Sequence, residues 1–496
     1  MSQIDFDALL RLLSFTPGEP MLFNSGLFLV LFLLFSAGYA LLSAQRAKAV
    51  RLLYVTAFSY YFYYKNAGAW CCLLAVITLV NYFCALRLDH TERPAARKAW
   101  LWLAVGFMLG QLAVFKYTDF AIGTWCDLTG EPRPDTPALP VLVGISFFTF
   151  QSMSYIIDVY RRKMPATHRL TDFAFFVSFF PTLLAGPILR ARTFLPQLRR
   201  PLCVSHTMMG TGAWYVVMGL FKKCVVSDYI SVNFVSRIFD NPQLYSGLEN
   251  LLGVYGYALQ LYCDFSGYSD MAIGIALWMG FHLPANFRAP YKSDSITDFW
   301  RRWHISLSTW LRDYLYISLG GNRCGRWRMY LNQFLTMLLG GLWHGASWNF
   351  VVWGCVHGVA LCLHKAWRTL LGHDKHYRSR GVRKCFAIVL TFHVVCFSWL
   401  FFAGTSFEAS VAMLTQIFTN FQPQLITQFV AGYPAVTALM VAGFVLHFLP
   451  TRWSERTTVR VAVAPLWVHA LLLVLMIVWV VQVKGSDVQP FIYFKF

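Results

Sequence analysis

The sequence predicts an all-α polytopic membrane protein, and three observations support that fold class. Of the 496 residues, 57% are hydrophobic and only 13% are charged, whereas a soluble domain carries about 25% charged residues. Apolar runs that approach the length needed to cross a bilayer, about 20 residues, recur along the chain. The formal net charge of +19 is concentrated in short turns between these runs, as in the cytoplasmic loops of membrane proteins, which argues against nucleic-acid binding.

We predict about 11 transmembrane helices, together with re-entrant and amphipathic helices. The predicted spans cover residues 22–43, 50–66, 69–87, 100–123, 138–160, 209–227, 248–281, 346–365, 384–404, 431–449 and 462–483. Basic turns are placed in the cytoplasm, whereas the loops near 124–138 and 405–430 are poor in Lys and Arg and are placed outside. Both termini then lie on the outer side of the membrane.

Two domain regions are predicted. Residues 1–20 are amphipathic, include Asp5, Asp7 and Glu19, and lack the basic n-region of a signal peptide, so we expect an interfacial extension. Residues 21–496 are predicted to form one membrane domain, because the sequence shows no internal repeat and no low-complexity linker. The 12 cysteines include no C-x-x-C pair, so neither a disulfide framework nor a metal site is predicted.

Three segments do not fit simple spans. Residues 171–200 combine prolines, a Phe-rich start and four arginines, and are predicted to form a broken, re-entrant piece at the cytoplasmic face. Residues 294–318 are predicted to form one amphipathic helix with His304 at the edge of its apolar face. That face carries Trp300, Trp303, Leu307, Trp310, Leu311 and Tyr314. Residues 328–345 are too short to span, so we predict a hairpin from the cytoplasm that turns between Gly340 and Ser347.

His344 is the principal candidate site residue. It follows Trp343 in a Trp- and Gly-rich stretch, at the predicted tip of the hairpin. Irregular backbone at membrane depth survives only where protein buries it or water lines it, and an ionisable residue there indicates a functional site. His344 can serve as a general base that takes a proton from a hydroxyl attacking an acyl group. A buried structural histidine is the alternative.

His304 is the second candidate, within a Trp-rich segment that also holds Arg301 and Ser308. It can orient an acyl donor or hydrogen-bond His344, and the alternative is an interfacial histidine whose polar tip reaches water. The other histidines in or near the predicted spans are predicted to be structural. These are His357, His364, His393, His447 and His469.

Two acids and the C-terminus complete the candidates. Asp264 and Asp270 lie within an apolar run, where a carboxylate is costly unless it is paired. Structural bonds to Ser, Tyr or Arg are expected, and a catalytic acid or a transporter's proton relay are alternatives. The aromatic C-terminal segment, residues 490–496, is predicted to anchor the outer interface. Tyr493 is alternatively an acyl acceptor, since a phenol can attack when a base takes its proton.

These motifs resemble the membrane-bound O-acyltransferase (MBOAT) family, and within it the bacterial alginate O-acetyltransferase (AlgI) branch. The similarity extends from Met21 to the C-terminus and rests on residues 184–188, 262–270, 299–304, 311–316, 319–323 and 343–349. It implies the MBOAT fold, in which helices surround a central funnel, with His344 catalytic and His304 a second active-site histidine. The residues expected to support the cavity are Trp343, Asn349, Asp264, Asp270, Ser308 and Arg301.

The resemblance also implies substrates and partners. The donor would be acetyl-CoA or an acyl-carrier thioester from the cytoplasm, with no tightly bound cofactor and no metal, in a protein surrounded by membrane lipid. The acyl group would pass through Tyr493 and a periplasmic acetyltransferase of the AlgJ or AlgX kind to an exopolysaccharide such as alginate.

Alternatives remain inside and outside the family. The D-alanyl branch (DltB) acts on teichoic acid and includes a small partner whose Tyr-bearing aromatic tail this chain carries at its own end. A polytopic transporter would be expected to show inverted repeats. A catalytically silent scaffold would tolerate loss of His344.

Overall fold

The computed structural model describes residues 6–44, 48–134, 139–140, 142–201, 203–372, 374, 377, 379–483 and 489–494, and these form helices and loops without a β-strand. Contacts divide the chain into two units. The first unit contains the chain up to Val216, Met271–Pro284 and the tail from Tyr493, and the second contains Val217–Asp270 and Ala285–Ile492. The all-α fold class is confirmed, and the single domain over 21–496 stays a prediction.

The α-helices follow one another with short connections. As far as Leu220 they are α1 (Phe6–Leu13), α2 (Gly26–Ala44), α3 (Lys48–Ala67), α4 (Cys71–His90), α5 (Pro94–Leu112), α6 (Thr118–Thr129), α7 (Ile145–Tyr160), α8 (Leu170–Ser178), α9 (Phe180–Leu183), α10 (Ala191–Arg199) and α11 (His206–Leu220). From there they are α12 (Asp228–Ile230), α13 (Ser236–Asp240), α14 (Gly247–Trp278), α15 (Ile296–Trp300), α16 (Ile305–Trp310), α17 (Arg326–His344), α18 (Trp348–Leu370), α19 (Gly381–Ala403), α20 (Phe407–Thr419), α21 (Ile426–Gly432), α22 (Pro434–Phe448), α23 (Thr451–Ala462) and α24 (Leu466–Val483).

Shorter helical segments of other types interrupt this series. The π-helical segments are Ala113–Tyr117, Phe221–Ser227, Ser231–Val235 and Leu311–Tyr316. The 3₁₀ turns are Gly68–Trp70, Pro242–Leu244, Pro290–Lys292, Pro423–Leu425 and Ile492–Phe494. π-helical segments occur often at functional sites, and one of these four, Phe221–Ser227, carries the two lysines that pair with Asp264 and Asp270.

The chain is a multi-pass membrane protein. Among the described residues, five helical runs are long and apolar enough to cross a membrane, or seven if two bent pairs each count as one span. The five runs are Gly26–Ser43, Lys48–His90, Pro94–Thr129, Trp348–Leu370 and Gly381–Ala403. The run Lys48–His90 is 43 residues long, about twice the length of one span. Within it, Gly68 has a φ of 57° and separates α3 from α4, so it corresponds to two predicted spans.

The other predicted spans also fall on helices, although the total of about 11 stays a prediction. The two bent pairs are Pro423–Gly432 with Pro434–Phe448, at 105°, and Thr451–Ala462 with Leu466–Gln482, at 117°. The segment 405–430, which we placed as an outer loop, instead contains α20 and α21. These helices have 13 and 7 residues, too few to register as spans in a search for about 20 apolar residues.

The N-terminal extension is attached to the first unit through α3. Lys65 Nζ donates to the backbone carbonyls of Leu12, at 3.0 Å, and of Ser14. The hydroxyl of Tyr61 donates to the carbonyl of Leu13 at 3.0 Å. An ammonium bound to the last carbonyls of α1 satisfies acceptors that a helix end leaves open.

The segment 171–200 is broken, as predicted. It contains α8, α9 and α10, and Phe179 separates the first two with an extended ψ of 103°. Phe180 packs with rings from α2 and α3, including Phe35 at 5.6 Å and Phe58 at 5.1 Å between centroids. Aromatic packing, which is worth about 0.5–1.5 kcal/mol per pair beyond burial, therefore holds this broken piece in the first unit.

The prediction of one amphipathic helix over 294–318 is wrong. The segment contains α15, then a turn through His304, then α16, and it ends in the π-helical Leu311–Tyr316. His304 has a φ of 41°, a left-handed conformation that a helix of L-residues cannot continue through. The predicted apolar face is nevertheless entirely buried, from Trp300 at 9% exposed to Leu307 at 0%. The placement of His304 at the edge of that face is also wrong, since it is completely buried.

The predicted helical hairpin is present as the pair α17 and α18, and its entry from the cytoplasm stays a prediction. α17 ends at His344 and α18 begins at Trp348, so the turn lies inside the predicted range. Glycines allow the two helices to approach closely. A Cβ on Gly341 would collide with the backbone carbonyl of Phe350, and one on Gly354 would lie 2.8 Å from the carbonyl of Met337. Small residues at helix contacts are the usual means of close packing in membranes.

Candidate active site

His344 is the last residue of α17, and its side chain lies in an aromatic pocket. Its imidazole is 4% exposed and contacts the rings of Trp343, Trp353 and Phe402, with centroids 4.9, 4.8 and 5.3 Å away. The carbonyl end of a helix carries partial negative charge, so an imidazolium formed there by proton uptake is stabilised. The geometry suits a base that gains a proton during the reaction.

α18 presents the opposite polarity next to His344. Ser347 is its N-cap, with an extended backbone, and the helix continues for 23 residues. Backbone N–H groups at a helix start favour a negatively charged oxygen, the species that forms when an acyl carbonyl is attacked. The turn between the two helices therefore combines a proton acceptor with an anion-stabilising end.

His304 is fixed in one tautomer by Asn286. The His304 Nδ1 lies 3.1 Å from the Asn286 Oδ1, and a carbonyl oxygen can only accept, so Nδ1 carries the hydrogen. Burial lowers the pKa of His304 well below its ordinary value, because charging a desolvated imidazole is unfavourable. The ring is therefore neutral near pH 7 and presents Nε2 as an acceptor.

Asn286 is a residue of the candidate site that the sequence reasoning did not assign to it. Its Oδ1 also accepts from the Ser306 hydroxyl at 2.9 Å and the Ser306 N–H at 3.2 Å, and its Nδ2 donates to the Ser269 Oγ at 3.2 Å. Its backbone carbonyl accepts from the N–H of Ile305 at 2.9 Å. These bonds hold the backbone on both sides of His304. In the sequence, Asn286 is a polar residue between the apolar run 248–281 and the Trp-rich segment that holds His304, and no local pattern marks its partners.

Trp343 connects the two histidines. Its ring centroid lies 6.2 Å from that of His304 and 4.9 Å from that of His344. Trp343 is itself 5% exposed, and His304 packs on its other side against the ring of Phe265 at 4.6 Å. The structure therefore brings the two predicted histidines to one indole, from segments 40 residues apart.

His357 has the environment of a structural histidine. The Trp300 Nε1 donates to its Nδ1 at 3.3 Å, and its Nε2 lies 2.9 Å from the Ser398 Oγ. Both ring nitrogens are thereby engaged, and Trp353 lies between this ring and that of His344 in edge-on contact with each, with centroids 4.7 and 4.8 Å away. His357 thus supports the packing behind His344, and its predicted structural role stays a prediction.

Two of the predicted cavity residues, Asn349 and Ser308, bind the framework in the structure, and a third, Arg301, does not. Asn349 Nδ2 donates to the carbonyl of Gly404 at 2.9 Å, which joins the start of α18 to the end of α19. The hydroxyl of Ser308 donates to the carbonyl of Trp303 at 3.0 Å and so closes the turn around His304. Arg301 is exposed. Their proposed supporting roles are therefore indirect.

Asp264 and Asp270 are paired with two consecutive lysines. Lys223 Nζ lies 2.6 Å from the Asp264 Oδ1, and Lys222 Nζ lies 2.6 Å from the Asp270 Oδ2. The partners are lysines, where Ser, Tyr or Arg were expected. Removing one partner of a buried ion pair is strongly destabilising, and this pairing favours the structural interpretation of both acids.

Tyr493 belongs to the first unit, where its half-buried ring packs edge-on against Phe147 at 6.2 Å between centroids. The residues directly before it belong to the second unit, where the N–H of Ile492 donates to the Asp264 Oδ2 at 2.9 Å. The tail is thus anchored through its backbone immediately before the candidate acyl acceptor.

Comparisons with known proteins find related sequences over most of the chain. A model of the family described as MBOAT, membrane-bound O-acyltransferase, matches residues 127–407. The chain is 39% identical to the "Probable alginate O-acetylase AlgI" of Pseudomonas putida, over 96% of this chain and 100% of that protein. It is 35% identical to a "Peptidoglycan O-acetyltransferase" of Helicobacter pylori, over 79% of each. It is 32% identical to a "Teichoic acid D-alanyltransferase" of Bacillus subtilis, over 56% of this chain and 73% of that protein.

Proposed function

Because the chain belongs to the membrane-bound O-acyltransferase family and is an acyltransferase, we propose that it moves acetyl groups across the bacterial inner membrane for O-acetylation of an exopolysaccharide such as alginate. The observation that carries the proposal is the placement of His344 and His304 around Trp343. The relatives named for O-acetylation match most of the chain, whereas the D-alanyl relative matches 56% of it, which favours acetyl over D-alanyl transfer.

The proposed reaction begins with acyl transfer from a thioester to a hydroxyl acceptor, which in this proposal is the phenol of Tyr493. His344 removes the proton from an acceptor hydroxyl as its oxygen attacks the acetyl carbonyl carbon. The carbon–oxygen bond forms, the carbon–sulfur bond breaks, and the thiolate leaves with the proton that His344 carries. Near pH 7 the neutral His304 offers its Nε2 as a hydrogen-bond acceptor to orient the hydroxyl, and the start of α18 stabilises the oxyanion.

The acetyl group then continues to the periplasm. In this proposal the donor is acetyl-CoA or an acyl-carrier thioester that arrives from the cytoplasm, and both termini are periplasmic. Tyr493 takes the acetyl group transiently as a phenyl ester. A nucleophile of a periplasmic acetyltransferase of the AlgJ or AlgX kind then attacks the ester carbonyl carbon, the bond to the phenol oxygen breaks, and the phenolate takes up the proton that the nucleophile gives up. A phenyl ester remains reactive, because a phenolate is a much better leaving group than an alkoxide. The next nucleophile can therefore remove the acetyl group from Tyr493.

The function is tested with radiolabelled acetyl-CoA supplied to the cytoplasmic side of membranes that contain the protein. We expect label to reach the protein tail, and a saccharide acceptor when the periplasmic partner is added. Membranes that lack the protein provide the control. If label is transferred only from a D-alanyl carrier, the proposed acetyl donor is wrong and the teichoic-acid type of activity replaces it.

The relay is tested by Tyr493→Phe, which removes the hydroxyl that carries the ester in this proposal. We expect label on the tail to vanish and acetylation of the acceptor to fall by at least about 100-fold, because the group that carries the covalent intermediate is lost. Tyr433→Phe, the same change at the start of α22, should leave both unchanged. Normal acceptor acetylation in the Tyr493→Phe protein would exclude the relay.

A further inference from the structure

We infer that Lys223, Asp264 and Asp228 form a clamp that grips the backbone of the C-terminal tail and sets the register of Tyr493. This inference rests on the proposed acyl relay for its catalytic consequence, although the grip itself is a feature of the structure alone. Lys223 and Asp264 are each 1% exposed, and both lie outside the histidine pair of the reaction site. Positioning of the tail gives these buried charges a role in the reaction.

The bonds of Lys223 are complete only when the tail is in place. An ammonium has three donors, and Lys223 Nζ lies 2.6 Å from the Asp264 Oδ1, 2.8 Å from the Asp228 Oδ1 and 3.2 Å from the carbonyl oxygen of Pro490. Two of its bonds therefore go to carboxylates of the second unit and the third goes to the tail.

Asp264 makes the complementary bond. One of its oxygens accepts from Lys223, and the other accepts from the N–H of Ile492 at 2.9 Å. The clamp thus binds one carbonyl and one N–H of the tail, two residues apart. Charge-assisted bonds of this kind are shorter and stronger than neutral ones. They also contact main chain, so the tail is held at a defined position along its length.

Phe491, between the two gripped residues, adds the apolar part of the clamp. Its ring lies 4.5 Å from Lys223 Nζ and packs edge-on against Tyr268 at 4.6 Å between centroids. Phe491 is 1% exposed, and a cation over a desolvated aromatic face is favourable. Tyr493 is two residues beyond Phe491, so the clamp fixes the residue immediately before the proposed acceptor.

The fold builds the clamp where two segments approach closely. Lys223 lies in the π-helical Phe221–Ser227, and Gly267 faces it from α14, where a Cβ would lie 2.8 Å from the carbonyl of Gly219 and 3.2 Å from the N of Lys223. The absence of a side chain at Gly267 therefore lets Lys223 reach Asp264, which lies three residues earlier in α14.

The choice of tail residues that bind Lys223 and Asp264 determines the position of Tyr493, because an extended chain advances by about 3.3 Å per residue. A slip of one residue would move the phenol by roughly that distance, and a misplacement of about 1 Å can lower a rate on the order of 100-fold. Loss of the clamp should accordingly lower kcat by about 100-fold. The KM for the thioester donor should stay the same, because Lys223 and Asp264 hold the tail and not the donor.

The test uses Asp264→Asn in the full-length protein. Asn supplies one oxygen where Asp supplies two, so either Lys223 Nζ or the N–H of Ile492 faces an NH₂ group. Lys223 keeps Asp228 as a partner. The matched control is Asp270→Asn, the same change on the same helix at an acid whose described partner is Lys222. The rate of amide hydrogen exchange in the peptide that spans 489–494 is measured by mass spectrometry. This rate shows whether the tail backbone is held, and it does not depend on activity.

We expect amide exchange in the tail peptide to accelerate by at least about tenfold in Asp264→Asn and to change by less than about twofold in Asp270→Asn. Equal rates of amide exchange in the tails of the two variants would show that Asp264 does not hold the tail, and the proposed clamp would be wrong. If exchange accelerates but wild-type protein carries no acyl label on Tyr493, the clamp stands and the relay is wrong. The kcat and KM of Asp264→Asn then separate a positioning role from general damage to the fold.

A second pair of variants avoids any risk to the fold of the second unit. Ile492→Pro removes the N–H that Asp264 accepts and leaves the ion pair intact, since proline has no backbone donor. Ile492→Ala keeps that N–H and removes most of the side chain. If the clamp holds the tail, the remaining tail amides should exchange faster in the proline variant than in the alanine variant. Indistinguishable exchange in the two would show that side-chain packing holds the tail, and the clamp would be rejected.

Discussion

Replacing His344 with glutamine is expected to lower acetyl transfer by at least about 100-fold, since proton transfer by a placed side chain contributes about 10²–10⁴-fold. Glutamine fills a similar volume against Trp353 and Phe402 and can still form hydrogen bonds. It cannot accept a proton near neutral pH. The loss should appear in kcat and in kcat/KM alike, which is the signature of an interaction made only in the transition state.

Two controls separate this loss from a folding defect. His393→Gln makes the same change at an exposed histidine on α19, and its transfer rate should stay within about twofold of wild type. The thermal unfolding of detergent-solubilised His344→Gln, followed by Trp fluorescence, should stay close to that of wild type. More than about a tenth of the wild-type rate in His344→Gln would mean that another group takes the proton, because such a residue cannot be the principal base.

The sequence predicted the parts of the site that follow from local pattern. Apolar length and the number of crossings require a hairpin, and glycines mark its turn, so the amino-acid pattern by itself places His344 at the tip where α17 ends. Helical periodicity also identifies the aromatic residues that are buried between 300 and 314. Both predictions depend on residues that are close in the sequence, where side-chain spacing determines which faces meet.

The parts that sequence could not predict depend on distant partners. The break at His304 has no proline or glycine to mark it. It is maintained by Asn286 and by the bond from the N–H of Arg288 to the carbonyl of Arg302 at 3.0 Å. The pairing of Lys223 with Asp264 joins residues 41 positions apart. A single sequence carries no information about which lysine meets which acid, so the tail clamp is visible only in three dimensions.

The number of spans is hard to predict for a related reason. A count of apolar residues assumes that a helix crosses the membrane in one straight piece of about 20 residues. Here the helices on either side of Tyr433 meet at 105°, and those on either side of Val463 to Pro465 meet at 117°. Proline directly after the first bend and within the second is a local signal, although it does not specify the angle or whether the piece crosses.

Gly341→Ala is expected to damage the site through the hairpin and without any change to a catalytic group. The added methyl would collide with the backbone carbonyl of Phe350 and lie 3.1 Å from the Cα of Gly354. Backbone atoms cannot rotate away as a side chain can, so α17 and α18 must separate. Overpacking of this kind typically costs about 1–3 kcal/mol. We expect a lower unfolding temperature in detergent and at least about a tenfold loss of acetyl transfer, because His344 is only three residues further along α17.

The adjacent glycine provides the matched control. A Cβ on Gly340 meets only the end of the Leu311 side chain, at 3.2 Å, which can move slightly. Alanine is better than glycine by about 1 kcal/mol inside a helix, so Gly340→Ala should unfold at the same temperature as wild type or higher and should remain active. Equal stability and activity of the two variants would mean that the contact at Gly341 does not set the helix spacing. A selective loss in Gly341→Ala would show that the close approach of α17 and α18 is what places His344, since the two proteins differ only in which face of one helix carries the methyl group.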